Sequence, residues 1–455
     1  MEIRRVILKN IGFLENLDIP LAPTEETSGN ITIFVGNNGA GKTSILQSVA
    51  IALSWFIARL RTEKSNGNPI PEEIIRNTAT TASIEVNIDD SWHKSGSSEP
   101  DSQHYFSWNL AKNRQGRNPQ FTSNLTGCTR LAHGYRETLT HDDQVSLPLV
   151  AFYPVERVVL DIPLKIRTRH TFSQLDAYDN SISQGVDFRR FFEWFRERED
   201  IENESGISDH ILRQMELFRE SDSKVWQQLN ELNASTKDRQ LTAVRTAIYH
   251  FMPEMSHLRV RRKPRLHMAI DKNGETLNVA QLSQGEKSLM ALVGDIARRL
   301  AMLNPALKNP LEGDGIVLID EVDLHLHPSW QRSLCDRFIN TFPNCQFILT
   351  THSPLVISDR KDVLVYILNN GQLHQLPSPY GQDANTILLD VMNTSIRNEA
   401  IDTQLNDLFD AIQDSRFPES QQLLTWLSAE LPTNHLELIK ARLLLRKQEI
   451  RHANH

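Results

Sequence analysis

Three clusters in this chain have the residue types and spacing to act on a phosphate. Gly36-Asn37-Asn38-Gly39-Ala40-Gly41-Lys42-Thr43 fits the pattern G-x-x-x-x-G-K-[ST]. Its glycines let backbone N–H groups curl around a β-phosphate, and Lys42 supplies a mobile positive charge to the β- and γ-phosphates. The Thr43 hydroxyl suits Mg²⁺, and Ser44 opens a helix whose positive end faces the same anion. Asp320-Glu321 is a pair of consecutive carboxylates. Asp320 is suited to hold Mg²⁺ through water, and Glu321 to orient and deprotonate an attacking water. His352 can donate to a γ-phosphate and sense its loss. A lone histidine is structural more often, so its assignment rests on the company of the other two clusters.

These groups need strand ends and helix starts to hold them. Ile31–Val35 reads as a buried strand and residues 44–59 as a helix, the context that the glycine-rich pattern requires. An apolar strand over 315–319 delivers Asp320-Glu321 at its C-terminal end, and another over 346–351 ends in His352-Ser353-Pro354. Ligands gather outside the carboxyl ends of strands in open α/β sheets, which puts both ends beside the phosphate loop. Leu282-Ser283-Gln284-Gly285-Glu286-Lys287-Ser288 precedes a helical run through Leu300. Ser283 and Gly285 sit where that helix begins, so a hydroxyl and backbone N–H groups can point at an anion. Residues 3–8 and 17–21 form a strand pair around Asn10-Ile11-Gly12-Phe13, 84–88 and 147–152 are short strands, and 363–368 with the turn Asn369-Asn370-Gly371 finishes the sheet.

The remaining stretches bound the class of protein. With 455 residues, 39% hydrophobic and 23% charged, the chain has material for a large core or two to three domains. Cys128, Cys335 and Cys345 share no ligand spacing and make an odd count, which predicts buried thiols in a reducing, cytoplasmic setting. No stretch reads as a signal peptide or a membrane span. The net charge of −8 argues against a surface that coats nucleic acid generally. A local contact remains open at the basic run Arg259, Arg261, Arg262, Lys263 and Arg265, which equally suits the exposed face of an edge strand. Residues 91–101 read as a loop, and Arg167, Arg169 and His170 as a basic turn. Residues 186–250 read as helical, with Phe188, Phe191, Phe192 and Phe195 on a core face, and the chain is mostly helical again from Asn385.

In this order, Gly36 to Thr43, Leu282 to Glu286, Asp320-Glu321 and His352 resemble the Walker A, signature, Walker B and switch-histidine elements of ABC-type ATPase heads. Asp320-Glu321-Val322-Asp323-Leu324-His325-Leu326-His327-Pro328 and Thr351-His352-Ser353-Pro354 resemble the soluble branch that includes RecF-, SMC- and OLD-like ATPases. Within it, residues 188–200 and the overall length look like PtuA, the ATPase subunit of Septu-type and retron-associated antiphage systems.

The resemblance implies an α/β fold: an ABC-type P-loop ATPase head with a mainly helical insertion between its Walker A and signature halves. The implied domains are 1–90 with the P-loop, an insertion at 91–255, the second half of the head at 256–375 and a helical extension at 376–455. It implies ATP and Mg²⁺ as ligands, with Ser283, Gln284, Gly285 and Glu286 completing, in a head-to-tail dimer, the site built on the partner's Lys42. It also implies a separate HNH nuclease subunit. A RecF-like repair ATPase that binds DNA is the alternative, followed by an OLD-like nuclease. Gln284 stands where transporters commonly have Gly, and no Q-loop glutamine is assigned.

Overall fold

Four strands whose residues are all buried make the centre of the molecule: β3 (Ile31–Val35), β6 (Leu149–Tyr153), β10 (Gly315–Ile319) and β11 (Cys345–Thr351). A parallel sheet covered on both faces demands such unbroken apolar runs rather than alternation. With β12 (Val363–Asn369) and β13 (Gln372–Leu376) they form a sheet in the order β13-β12-β3-β11-β10-β6, parallel except for β13. A second, antiparallel sheet has the order β2-β1-β4-β5, from β1 (Glu2–Ile11), β2 (Leu14–Pro20), β4 (Thr81–Asp89) and β5 (Tyr105–Asn113). A third joins β7 (Met255–Arg261), β8 (His267–Lys272) and β9 (Glu275–Asn278). These elements come from a computed structural model, which describes residues 1–90, 104–117, 120–142, 144–156, 172–183, 185–205, 237–390 and 397–453. The loop expected at 91–101 and the basic turn at Arg167, Arg169 and His170 lie outside the described residues.

The insertion expected from residue 91 does not begin there. β5 pairs with β4 over its whole length, from Thr81 opposite Asn113 to Asp89 opposite Tyr105. The helix Thr126–His141 packs on the P-loop helix Lys42–Arg61 through the edge-to-face pair Phe56–Tyr135. β6 then enters the central sheet beside β10. The head therefore runs to Tyr153, because strand membership is decided by distant partners.

The segment that follows supplies the helices Phe188–Ser205 and Arg239–Phe251. Phe188, Phe191, Phe192 and Phe195 are buried, as their spacing predicts. Phe191 lies over Gly294 of the helix Gln284–Leu303, so closely that a Cβ there would sit 2.9 Å from the ring.

The P-loop helix is long and apolar enough to cross a membrane by composition, but most of its apolar residues are buried in the protein core. All three cysteines are free and buried.

The chain divides into two compact units, Met1–Gly381 and Gln382–His455. In the second, the helices Glu399–Gln413, Phe417–Glu430 and Leu436–Ala453 close around Leu405, Leu408, Ile412, Leu427, Leu438 and Leu445.

Candidate nucleotide site

β3 delivers the glycine-rich loop at its C-terminal end, between β11 and β12. Gly36 fits because a Cβ there would lie 2.4 Å from the Leu368 carbonyl oxygen of β12. Gly41 is the residue before the helix and has a φ of 102°, open to glycine at little cost. The loop, Lys42, Thr43 and Ser44 line a cleft of about 240 Å³ together with Glu321, His352 and Phe13. A neighbouring cleft of about 290 Å³ continues past Asn37, Asn38, Asn369 and Asn370.

Asp320 and Glu321 follow β10 directly, as their sequence context predicts. The Thr43 hydroxyl donates to Asp320 Oδ2 at 2.7 Å, so a hydroxyl and a fully buried carboxylate from two elements share one point. That oxygen pair fits Mg²⁺, a hard cation that takes oxygen ligands. Thr43 and Asp320 would hold the ion, which would neutralise phosphate charge.

Thr350 organises this centre from the adjacent strand. Its hydroxyl donates to Asp320 Oδ1 at 2.5 Å and accepts from the Glu321 backbone N–H at 2.7 Å. Glu321 itself has a φ of 45°, a left-handed conformation that costs a carboxylate side chain about 1–2 kcal/mol and is held by these contacts.

Lys42 and His352 meet across the cleft. Lys42 Nζ donates to the carbonyls of Gly36 (2.8 Å) and Asn37 (3.1 Å) and lies 3.0 Å from His352 Nε2. An ammonium has only donors, so Nε2 is the acceptor and the imidazole is neutral, with its proton on Nδ1. Burial first, and then the Lys42 charge, hold the His352 pKa below its ordinary value. Burial likewise lowers that of Lys42, against the pull of Asp320, Glu321 and Asp323. Asp323 accepts from the Thr351 hydroxyl and, at 3.4 Å, from the His352 backbone N–H, which fixes the histidine's position. The arrangement can grip a nucleoside triphosphate, place a carboxylate for water activation and register the terminal phosphate.

The signature residues are not brought to this cleft. Ser283 and Gln284 are exposed, and none of Ser283, Gln284, Gly285 and Glu286 lines either cleft. Ser283 caps the helix Gln284–Leu303, and Glu286 closes the capping box by accepting from the Ser283 N–H at 2.8 Å. Glu286 also pairs with Lys272, so its carboxylate serves the helix start rather than facing a nucleotide. Gly285 packs under the carbonyl of His325, where a Cβ would lie 2.3 Å away.

Two functional residues escape sequence reasoning. Phe13 is 48% exposed on the β1–β2 turn and lines both clefts, giving an aromatic face beside the phosphate loop. Its only signal is an aromatic in a tight Asn–Ile–Gly–Phe turn. Thr350 carries none, because threonine in a buried strand reads as a strand former.

The family model "AAA domain" matches residues 5–250, and a second AAA domain model matches 156–358. "Retron Vc95 probable ATPase" of Vibrio cholerae serotype O1 biovar El Tor is 34% identical over 424 residues, 86% of this chain and 80% of that protein. "Retron Ec83 probable ATPase" of Escherichia coli is 36% identical over 383 residues, 76% of this chain and 68% of that one. The chain belongs to this retron-type AAA ATPase family. It is an ATPase with an α/β fold built around a P-loop. "Septu protein PtuA" of Bacillus mycoides is 36% identical over a shorter stretch of 137 residues, 28% of this chain and 18% of that protein.

Proposed function

We propose that this ATPase is the regulatory subunit of an antiphage defence complex in the cytoplasm, and that it controls a partner HNH nuclease through ATP-dependent head-to-tail dimerisation. One observation carries the reading: each chain holds the phosphate loop, Glu321 and His352 in one cleft, with Asp320 bonded to Thr43 behind it, while its Ser283 stands exposed elsewhere at a helix start. Half a site in each chain suits assembly by nucleotide. Lys42 then leaves His352 for the phosphates, Glu321 activates water, and phosphate loss lets the heads part. The similarity to retron and Septu proteins supports the defence setting.

The DNA-binding alternative draws on the basic run. There, Arg259 is bonded to Asp271 at 2.9 Å and Arg262 pairs with Asp200, which leaves Arg261, Lys263 and Arg265 as exposed cations with no carboxylate partner among the described residues.

Ser283→Arg should abolish ATP-dependent association in sedimentation, while nucleotide affinity of the single chain changes by less than about threefold, under 1 kcal/mol. Dimers that persist in this variant with ATP would remove Ser283 from the composite site. Recovery of the tagged protein from cells carrying its native flanking genes tests the partner: a co-purifying HNH nuclease in fixed proportion is the expected result, and replication or repair proteins in its place would favour the alternative.

A further inference from the structure

A separate cleft, of about 460 Å³, lies at the opposite, N-terminal end of the central strands. The nucleotide residues follow the C-terminal ends of β3, β10 and β11. This cleft is lined instead by residues just before those strands: Lys308, Asn309 and Leu311 ahead of β10, and Asn340 and Thr341 ahead of β11. A five-residue strand such as β10 spans about 17 Å, so the two sites are separate.

Its opposite wall is one face of the helix Arg239–Phe251, where Arg239, Thr242, Thr246 and His250 recur at helical spacing, with Lys237 just before the helix.

The chemistry of the lining is one-sided. Lys237, Arg239 and Lys308 bring three positive charges, and no Asp or Glu is among the lining residues. Among the described residues none of the three has a carboxylate partner; Arg239 donates only to the Pro305 carbonyl, at 3.0 Å. The second observation is Thr341, which is 3% exposed and whose hydroxyl has no hydrogen-bond partner among the described residues. A buried hydroxyl left unbonded costs about 1–3 kcal/mol, and a ligand oxygen in this cleft would satisfy it. Cations and hydroxyls without a competing carboxylate select an anion with several oxygens.

We propose that this cleft binds phosphate groups, carried either by the backbone of a single-stranded nucleic acid or by a small phosphate ligand, at a site separate from the ATP site. The affinity comes from Lys237, Arg239 and Lys308, and Thr341 fixes one phosphate oxygen.

The test uses the full chain saturated with ATP. Binding of a fluorescein-labelled single-stranded oligothymidylate is followed by anisotropy, and binding of inorganic pyrophosphate by calorimetry. Lys308→Glu combined with Lys237→Glu should weaken binding at least about tenfold and reduce the slope of log affinity against log salt by roughly 1–2. ATP turnover should not change. Thr341→Val loses no bond in the free protein, so its melting temperature should hold while affinity falls several-fold. Oligothymidylate binding that is lost in the variants assigns the nucleic-acid source; pyrophosphate binding that is lost without any oligothymidylate binding assigns the small ligand. The proposal is overturned if neither probe binds, if the variants bind as the natural chain does, or if Arg261→Glu with Lys263→Glu removes the binding and the cleft variants do not.

Discussion

Thr350→Val tests whether the carboxylate pair is positioned from β11 as the geometry implies. Valine keeps the shape of threonine and removes one hydroxyl, which both donates to Asp320 Oδ1 and accepts from the Glu321 N–H. A hydrogen bond to a charged group contributes about 1.5–3 kcal/mol, and the Glu321 amide would lose its partner as well. Loss of a group that orients a metal-binding carboxylate typically costs about 10–100-fold in activity, the same range of energy. The expected result is therefore a kcat about 10–100-fold lower in steady-state ATP hydrolysis, with a higher Mg²⁺ requirement. The KM for ATP should change by less than about threefold, since the phosphate loop is untouched. Thr350→Ser restores the hydroxyl and should recover most of the rate. A Val variant with natural turnover would refute the positioning role, and a Ser variant as poor as Val would show that the methyl group, not the hydroxyl, is what matters.

Glu321→Gln should retain ATP binding and lose turnover, so that ATP persists on the isolated protein; unchanged turnover would remove Glu321 as the group that activates water. Phe13→Ala should raise the KM for ATP with little change in kcat, by the roughly 1–3 kcal/mol that an aromatic face gives a stacked base; an unchanged KM would place the base elsewhere. His352 predicts proton uptake on ATP binding. Its pKa is held below 6.5 by burial and by Lys42, and a terminal phosphate that draws Lys42 away and adds negative charge must raise it. Affinity should then increase as pH falls through the interval between the two values. Calorimetry in buffers of different ionisation enthalpy reads the uptake, and identical heats would contradict it. Without nucleotide the sign is the opposite for stability: the unfolded chain binds the proton first, so the stability is fully present above the ordinary histidine value and is lost as pH falls from there through the depressed folded value.

The nucleotide centre was legible because its parts are local. A glycine-rich loop after an apolar strand, two carboxylates at a strand end and a histidine at another each carry their geometry within a few residues. What stayed hidden depends on distant partners. Nothing near Leu149 says that it pairs beside Gly315, so the head looked shorter than it is. Nothing in the run 259–265 says that Asp271 and Asp200 will neutralise two of its arginines. Thr350 looks like any threonine of a buried strand until Asp320 arrives beside it from β10. The Glu286 carboxylate follows the same rule in reverse: a residue in the right motif is taken up by its own helix cap and by Lys272 from β8.

The same distant pairing connects the two halves of the head. Asp295, on the signature helix, is fully buried with Arg298 and Arg299, each 2.7 Å from it, and accepts from the Tyr153 hydroxyl at 2.9 Å. Ion clusters of this kind gain little stability, because desolvation offsets the attraction, but breaking one member is costly. The cluster therefore fixes position more than it adds strength. Tyr153 ends β6, and its carbonyl accepts from the Asp320 N–H at 2.9 Å. Asp320 in turn accepts from Thr43 of the phosphate loop. In the first turn of the same helix, Gly285 is seated against the His325 carbonyl, a few residues after Glu321. The helix that begins with Ser283 is thus tied to the strand ends that carry the carboxylate pair at two points, its first turn at Gly285 and its middle at Asp295. A displacement of that helix, whether it starts from a nucleotide bound across a dimer or from the helix Phe188–Ser205 packed at Gly294, is expected to be felt at Asp320 and Glu321 through Tyr153 and His325.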